Sequence, residues 1–239
     1  MKNRVRIGII GAMDSEIEYL VTQLEEKTVT KICGYSLYSG EMYDVQVTIL
    51  KCGIGKVNAA RGTQLLIDCF SPNAVLNTGI AGAVEPNLCV GDAIIASALV
   101  QHDFDVTAFG HVPGYMCTGV NHDKPTMFLP DKALSDMLAK SSGQVLGSKR
   151  ARKGVIATGD VFVADAQRRK HIYSEFGALA VEMESAAIAQ TAFYADVPFA
   201  ILRVISDNAN GKATVSIDEF EEKTAKLSAE IILQFLKQI

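Results

Sequence analysis

The sequence predicts a single α/β domain over residues 1–239, in three αβα layers around a central mixed, twisted sheet. Three observations carry this expectation. Short runs rich in Val and Ile alternate with segments of helical period, the pattern of strands joined by crossover helices. Residues 27–50 read instead as extended segments joined by a turn at Ser39-Gly40, which makes part of the sheet antiparallel. No Pro/Ser-rich linker, low-complexity tract or internal repeat interrupts the chain.

Taken in order, strands are expected at 5–10, 45–50, 74–78, 92–98, 154–158 and 199–205. Helices are expected at 14–24, 56–69, 131–140, 163–173, 183–194 and 216–236. Only the last has a clean start signal: Ser216 can cap it while Glu219 reaches back to the cap's backbone N–H. Ile217, Phe220, Leu227, Ile231 and Phe235 then form most of an apolar stripe. Residues 104–127 carry Gly, Pro, Asn and scattered aromatics, and read as either a long functional loop or a partner-binding flap.

Composition narrows the function classes. Hydrophobic residues make up 49% and charged residues 21%, enough for a large core and unlike a disordered chain. The net charge of −4 gives no basic field for a polyanion, so nucleic acid is not an expected partner. The basic clusters 149–153 and 168–170 lack interleaved aromatics and read as solvated faces. No apolar stretch approaches a bilayer span, so no membrane association is expected. Lys2, Arg4 and Arg6 before Ile7-Gly8-Ile9-Ile10-Gly11 loosely mimic a signal peptide. The apolar run is short, however, and passes straight into Asp14 and Glu16, so a buried first strand explains it better. Five widely spaced cysteines with no CxxC pair point to a reducing compartment and a cytoplasmic protein.

Familiar nucleotide motifs fail. Around Gly53-Ile54-Gly55-Lys56-Val57, Leu50 and Val57 stand where a phosphate loop needs Gly and Ser or Thr. Gly8-Ile9-Ile10-Gly11 lacks the three-glycine spacing of a dinucleotide site. No GxSxG or HExxH occurs. His102-Asp103 without further ligands reads as a hydrogen-bonded pair rather than a metal site.

What remains is a set of acids beside apolar strands. Glu16 follows Gly11-Ala12-Met13, Asp160 follows Ala157-Thr158-Gly159, and Glu182 and Glu184 flank Met183 at the mouth of an Ala-rich helix. Asp207 closes Ile201-Leu202-Arg203-Val204-Ile205-Ser206. Ligand crevices of α/β sheets lie beyond the carboxyl ends of strands, so these groups can converge in one cleft. The plainer reading is helix capping, which would suffice for Glu16 and Asp160. It is less adequate for Asp207, where no helical pattern follows directly, and for the Glu182–Glu184 pair.

In chain order these residues resemble the bacterial 5′-methylthioadenosine/S-adenosylhomocysteine nucleosidases, with a nucleoside phosphorylase-like fold. The resemblance runs through Gly8–Met13 with Glu16, Gly53–Val57, Asn77-Thr78-Gly79, His102-Asp103 and Asp105–Gly110. It continues through Gly159-Asp160 with Phe162, Val181–Glu184, Arg203 with Ile205–Asp207, and Ser216–Phe220. It implies hydrolysis of the N-glycosidic bond of 5′-thioadenosines, and of 5′-deoxyadenosine as a further substrate, in methionine salvage and methyl-cycle product removal. Asp207 matches the acid that protonates the purine's five-membered ring, a role that calls for surroundings favouring the protonated form. Glu16 matches the base for water, and Glu184 the group holding the ribose hydroxyls near the developing cation. The same resemblance places Glu182, Met183, Arg203 and Ser206 around the ribose and the carboxylates. Phe162 would stack on adenine, with the backbone of Val163 reading its edge; on its own, Phe162 is equally a core residue. Met13, Ile54 and Ile217 would line the 5′ side, and each is equally credible as packing; Ile80 is counted among the substrate-binding residues near the water and the sugar. A homodimer is implied, with Val106 and Phe109 closing the partner's pocket, and no metal or organic cofactor.

The chain departs from the pattern at Ile80, where many relatives carry a Ser whose hydroxyl could hold the water or the sugar. Ile217 stands where some relatives have Phe, a change that alters preference among 5′ substituents. Three alternatives stay open. A purine nucleoside phosphorylase would need converging Arg side chains or an anion nest, yet Asn77 stands where phosphorylases of this fold carry Arg. A futalosine-type hydrolase would share the acid and the base. A non-catalytic nucleoside-binding module would lack Glu16 or Asp207, and both are present.

Overall fold

The computed structural model describes residues 4–118, 120–207 and 213–239, with backbone alone for 213–219. The chain runs β1 (Arg6–Gly11), α1 (Asp14–Thr22), β2 (Glu25–Ile32), β3 (Tyr35–Met42), β4 (Val45–Lys51), α2 (Lys56–Phe70), β5 (Ala74–Asn77) and β6 (Ile80–Ala83). It continues with β7 (Ala93–Gln101), α3 (Lys132–Leu146), β8 (Ala151–Thr158), α4 (Ala166–Phe176), β9 (Ala178–Glu182), α5 (Ser185–Tyr194), β10 (Phe199–Asp207) and α6 (Ala213–Leu236).

The strands form one mixed sheet in the order β2-β3-β4-β1-β5-β10-β6-β9-β8-β7. β1 lies between β4 and β5, parallel to both. β10 is parallel to β5 and β6 and also pairs antiparallel with β7. That last pairing closes β10, β6, β9, β8 and β7 into a ring. β10 has neighbours on every side, and accordingly each of its residues is buried. Alternation along β1 sends Ile7 and Ile9 to one core and Ile10 to the other. Helices α2 and α5 cover the Ile10 face through Ala59, Leu66, Ala186 and Ile188. Helices α1, α3 and α6 cover the opposite face through Leu20, Leu138, Ile232 and Phe235. The result is the expected αβα layering. Among the described residues no helix is long and apolar enough to cross a membrane.

Several local expectations are corrected. Ser39-Gly40 lies inside β3; the turns fall at Cys33-Gly34 and Tyr43-Asp44, all four residues having positive φ. Such paired positive φ angles match the twist of a two-residue hairpin. Gly40 is small for a different reason: a Cβ there would stand 2.4 Å from the carbonyl oxygen of Glu25, where the β2–β3 register shifts. β6 and β9 were not expected as strands, because IAGA is short and ALAVE is poor in β-branched residues. α4 starts at Ala166 rather than Val163, since Asp165 accepts the Arg168 N–H at 2.6 Å and caps it. α6 starts at Ala213, so Ser216 stands within the helix rather than at its cap, and its side chain is outside the described residues. Among the described residues of 104–127 the one short helical segment is a 3-10 turn, Thr107–Phe109.

Candidate active site

A cleft of about 230 Å³ opens where β1, β9 and β10 end and β6 begins. Met13, Glu16, Ile54 and Ile80 line one part of it. Phe162, Glu182, Met183, Glu184, Ser206 and Asp207 line the rest, joined at the rim by Glu221. No Lys or Arg is among the described lining residues.

Glu16 belongs to the first turn of α1, and its carboxylate folds back toward the helix start. Oε2 accepts the N–H groups of Ala12 at 2.6 Å and Met13 at 3.2 Å, while Oε1 accepts that of Ile80 at 3.0 Å. The capping reading is therefore correct, and Glu16 also faces the cleft. The bond from Ile80 comes from the main chain, so a side chain without a hydroxyl supplies it equally well. Gly79 makes room for this approach. A Cβ there would lie 2.0 Å from Arg203 Nη1 and 2.2 Å from Glu16 Oε1.

Arg203 is fully buried behind the cleft floor and serves three carboxylates. Nη2 donates to Glu182 Oε2 at 2.7 Å and to Asn77 Oδ1 at 2.9 Å, and Nε donates to Ser185 Oγ at 3.1 Å. Its guanidinium nitrogens lie 3.7 Å from Glu16 and 3.6 Å from Glu184. Glu182 accepts in addition from the N–H groups of Glu184 and Ser185, and from the hydroxyls of Ser185 and Thr158. Burial opposes its charge, but Arg203 and these donors outweigh it and hold the carboxyl below the usual range. Glu182 thus lines the cleft, but its carboxylate is committed to the protein.

Glu184 is different. Oε1 accepts the Gly55 N–H at 2.9 Å, and burial together with the nearby Glu182 pushes its carboxyl from 4.5 up to about 8. A carboxyl raised in the fold binds more protons folded than unfolded between those two values. Stability should therefore fall as pH rises from about 5 to about 8, by about 1–4 kcal/mol for this one group. Urea unfolding of the parent and of Glu184→Gln across this window checks it; parallel slopes would show that Glu184 does not titrate there.

Asp207 closes β10 with one oxygen on each of two partners. Oδ1 accepts from Ser206 Oγ at 3.2 Å, and Oδ2 pairs with Arg169 Nη2. Arg169 also donates to the carbonyls of Val163 and Ala83, both at 2.9 Å. The structure places a buried guanidinium beside this carboxyl. It also corrects the reading of residues 168–170 as a solvated face, because Arg169 is 1% exposed.

Other expected residues stand apart. Val106 and Phe109 do not line the cleft, and Phe109 is 80% exposed. Val163 is buried in the adjoining recess beside Phe162. The side chain of Ile217 lies outside the described residues. Asp160 accepts the Lys56 N–H at 2.7 Å and so caps α2 from across the fold. Asp103 accepts from Lys56 Nζ at 2.7 Å and from the Asp160 N–H at 2.8 Å, while His102 Nε2 is buried with no hydrogen-bond partner. Among the described residues no group of three or more His, Cys, Asp or Glu is arranged to hold a metal.

The phosphorylase superfamily profile matches residues 6–237. The 5′-methylthioadenosine/S-adenosylhomocysteine nucleosidase of Geobacillus thermodenitrificans is 43% identical over 233 residues, covering 97% of this chain and 96% of its own. The chain belongs to this nucleosidase family. The nucleosidase from Neisseria meningitidis, solved in complex with methylthio-immucillin-A, is similar with a TM-score of 0.91 and 36% identity, over 98% of this chain and 99% of that one. Futalosine hydrolase of Helicobacter pylori is similar with a TM-score of 0.89 and 32% identity, over 98% of each chain.

For this member of the nucleosidase family, sequence reasoning missed Arg169, Ser185, Thr158 and Glu221. A signal for Arg169 did exist. The buried residues of α4 are Arg169, Ile172 and Phe176, a three-then-four spacing that puts a cation on an apolar stripe. Ser185 and Thr158 carry no such mark, because their importance arises only when β8, β9 and β10 come together.

Proposed function

We infer that the protein hydrolyses the N-glycosidic bond of 5′-methylthioadenosine and S-adenosylhomocysteine, releasing adenine and the 5-thio-substituted ribose. Asp207 gives a proton to the purine's five-membered ring, and the electron pair of the breaking C–N bond passes into the departing adenine. Water attacks the resulting cationic sugar carbon from the opposite face and loses its proton to Glu16. Glu184 holds the ribose hydroxyls beside the sugar carbon where positive charge develops. Phe162 supplies the face on which adenine stacks. A homodimer gives the exposed Phe109 and the half-buried Val106 a task, that of covering the cleft of the other copy.

Water rather than phosphate as the nucleophile is supported by one observation above all. Among the described residues the cleft has no lining cation, and the main-chain N–H groups of Gly55 and Lys56 at the start of α2 are already taken by Glu184 and Asp160. A phosphate would meet carboxylates where it needs donors. The test is adenine release from 5′-methylthioadenosine with phosphate removed and then restored. Full activity without phosphate, yielding methylthioribose, is expected; release only after phosphate addition, yielding a sugar 1-phosphate, would make the enzyme a phosphorylase.

A further inference from the structure

Glu221 is a cleft residue that the reaction above does not use. It sits one helical turn beyond Ile217 in α6 and is half-buried at the cleft rim. Its Oε1 accepts a hydrogen bond from Ser15 Oγ at 2.7 Å. Ser15 lies two residues after Met13, the cap residue just before α1. At the far end of the cleft, Phe162, Gly82 and Asp207 open into the recess that also holds Val163 and Arg169. With the purine at that recess, the 5′ substituent points toward Met13 and Glu221.

Among the described residues Glu221 makes no ion pair. Lys223, two residues on in α6, is exposed, and two further lysines, one on β4 and one on α6, are engaged elsewhere. Lys51 pairs with Asp14 at 2.7 Å, and Lys226 lies over the Tyr19 ring. Of the other acids of the cleft, Glu182 is paired with Arg203 and Asp207 with Arg169. One hydrogen bond from a neutral hydroxyl orients the carboxylate without neutralising it.

Resting on the hydrolase reading, we propose that Glu221 is a specificity-determining residue that selects 5′-alkylthioadenosines whose tail ends in an ammonium group. The ammonium takes the free carboxylate oxygen, while Ser15 holds the other. The thioether passes between Met13 and Ile54, and the sulfur chain spans from the ribose to the rim.

The experiment compares 5′-(3-aminopropylthio)adenosine with its neutral isostere, 5′-butylthioadenosine, as substrates of the parent protein and of Glu221→Gln. At low ionic strength the kcat/KM ratio of amine to butyl should be about fivefold higher in the parent, the effect of one partly exposed ion pair of about 1 kcal/mol. The change should lie in KM rather than kcat, and about 1 M KCl should largely remove it. Ser15→Ala keeps the carboxylate and removes the hydrogen bond, and should retain most of the parent's preference. A ratio that is the same in the parent and in Glu221→Gln would overturn the proposal. So would an equal fall in Ser15→Ala, which would make the pair a fastening between α1 and α6. Adenine release from neither nucleoside would overturn this proposal and the hydrolase reading together, whereas release from both with an unchanged ratio overturns this one alone.

Discussion

Asp207→Asn is expected to lower kcat for adenine release by about 10²–10⁴-fold, the usual contribution of a positioned general acid. The amide keeps the size and much of the hydrogen bonding of the carboxylate but has no acidic proton to give. It also changes the environment of Arg169, whose Nη2 pairs with Asp207 in the buried floor. Breaking a buried pair from one side costs about 3–5 kcal/mol when the remaining charge loses all compensation. Here Arg169 keeps its bonds to the Val163 and Ala83 carbonyls, so a smaller loss of about 1–3 kcal/mol is expected. The two effects separate by experiment. Thermal unfolding reports the lost pair, while adenine release under saturating 5′-methylthioadenosine reports the chemistry. Asp207→Asn combined with Arg169→Leu should recover stability without recovering turnover. Near-parental kcat in Asp207→Asn would remove Asp207 from the role of acid.

Arg203→Met should have the largest effect on stability. Arg203 is the only cation among the described residues that approaches Glu16, Glu182 and Glu184 within 4 Å. Methionine fills similar space and answers none of the charge. Stranding buried carboxylates in this way costs about 3–5 kcal/mol. In a chain of this size each kcal/mol lowers Tm by about 2–4 °C, so a fall of about 6–20 °C at pH 7 is expected. The sign with pH follows from which form the variant tolerates. The Glu182 carboxyl, held low by Arg203 in the parent, loses that support, so the deficit should be greatest at neutral and alkaline pH and shrink as the solution is acidified. A calorimetric scan at pH 5 and at pH 8 reads both; a Tm unchanged at pH 8 would show that Arg203 is not the counter-ion of the cluster.

How much of this was legible in the sequence depends on how local each cause is. Strand β1, helix α1 and the placement of Glu16 between them follow from a Val/Ile-type run stopping at Gly11-Ala12-Met13 before an acidic turn. Strand β10 and its terminal Asp207 are legible for the same reason, as seven residues, Phe199–Ile205, apolar but for Arg203. The turn positions around β3 are not legible because a glycine in a strand and a glycine in a turn look alike, and only the approach of the Glu25 carbonyl distinguishes them. Strands β6 and β9 are short and small-residued, and the sheet imposes their conformation more than their own propensities do. At the site, the carboxylates announce themselves by standing beside apolar runs. Their partners do not. Ser185 and Asn77, hydrogen-bonded to each other, become meaningful only because Arg203 on another strand donates to both. The roles of Glu16, Glu184 and Asp207 came from resemblance, and the geometry now gives each a physical setting.

The closure of the sheet at β10 has a consequence for synthesis. Chains leave the ribosome from the N-terminus, and β10 pairs with β5, β6 and β7, all laid down well over 90 residues before it. A nascent chain that has emerged only through α5 carries Glu16, Glu182 and Glu184 but not the arginine between them, and its barrel-like half lacks the stave that joins both rims. Such long-range pairing raises contact order and slows folding, and an open strand slot invites association with other chains. The same late segment delivers the counter-ion Arg203 and the acid Asp207 together. A truncated or stalled product therefore has neither a closed sheet nor a complete site, and full-length synthesis acts as the checkpoint for activity.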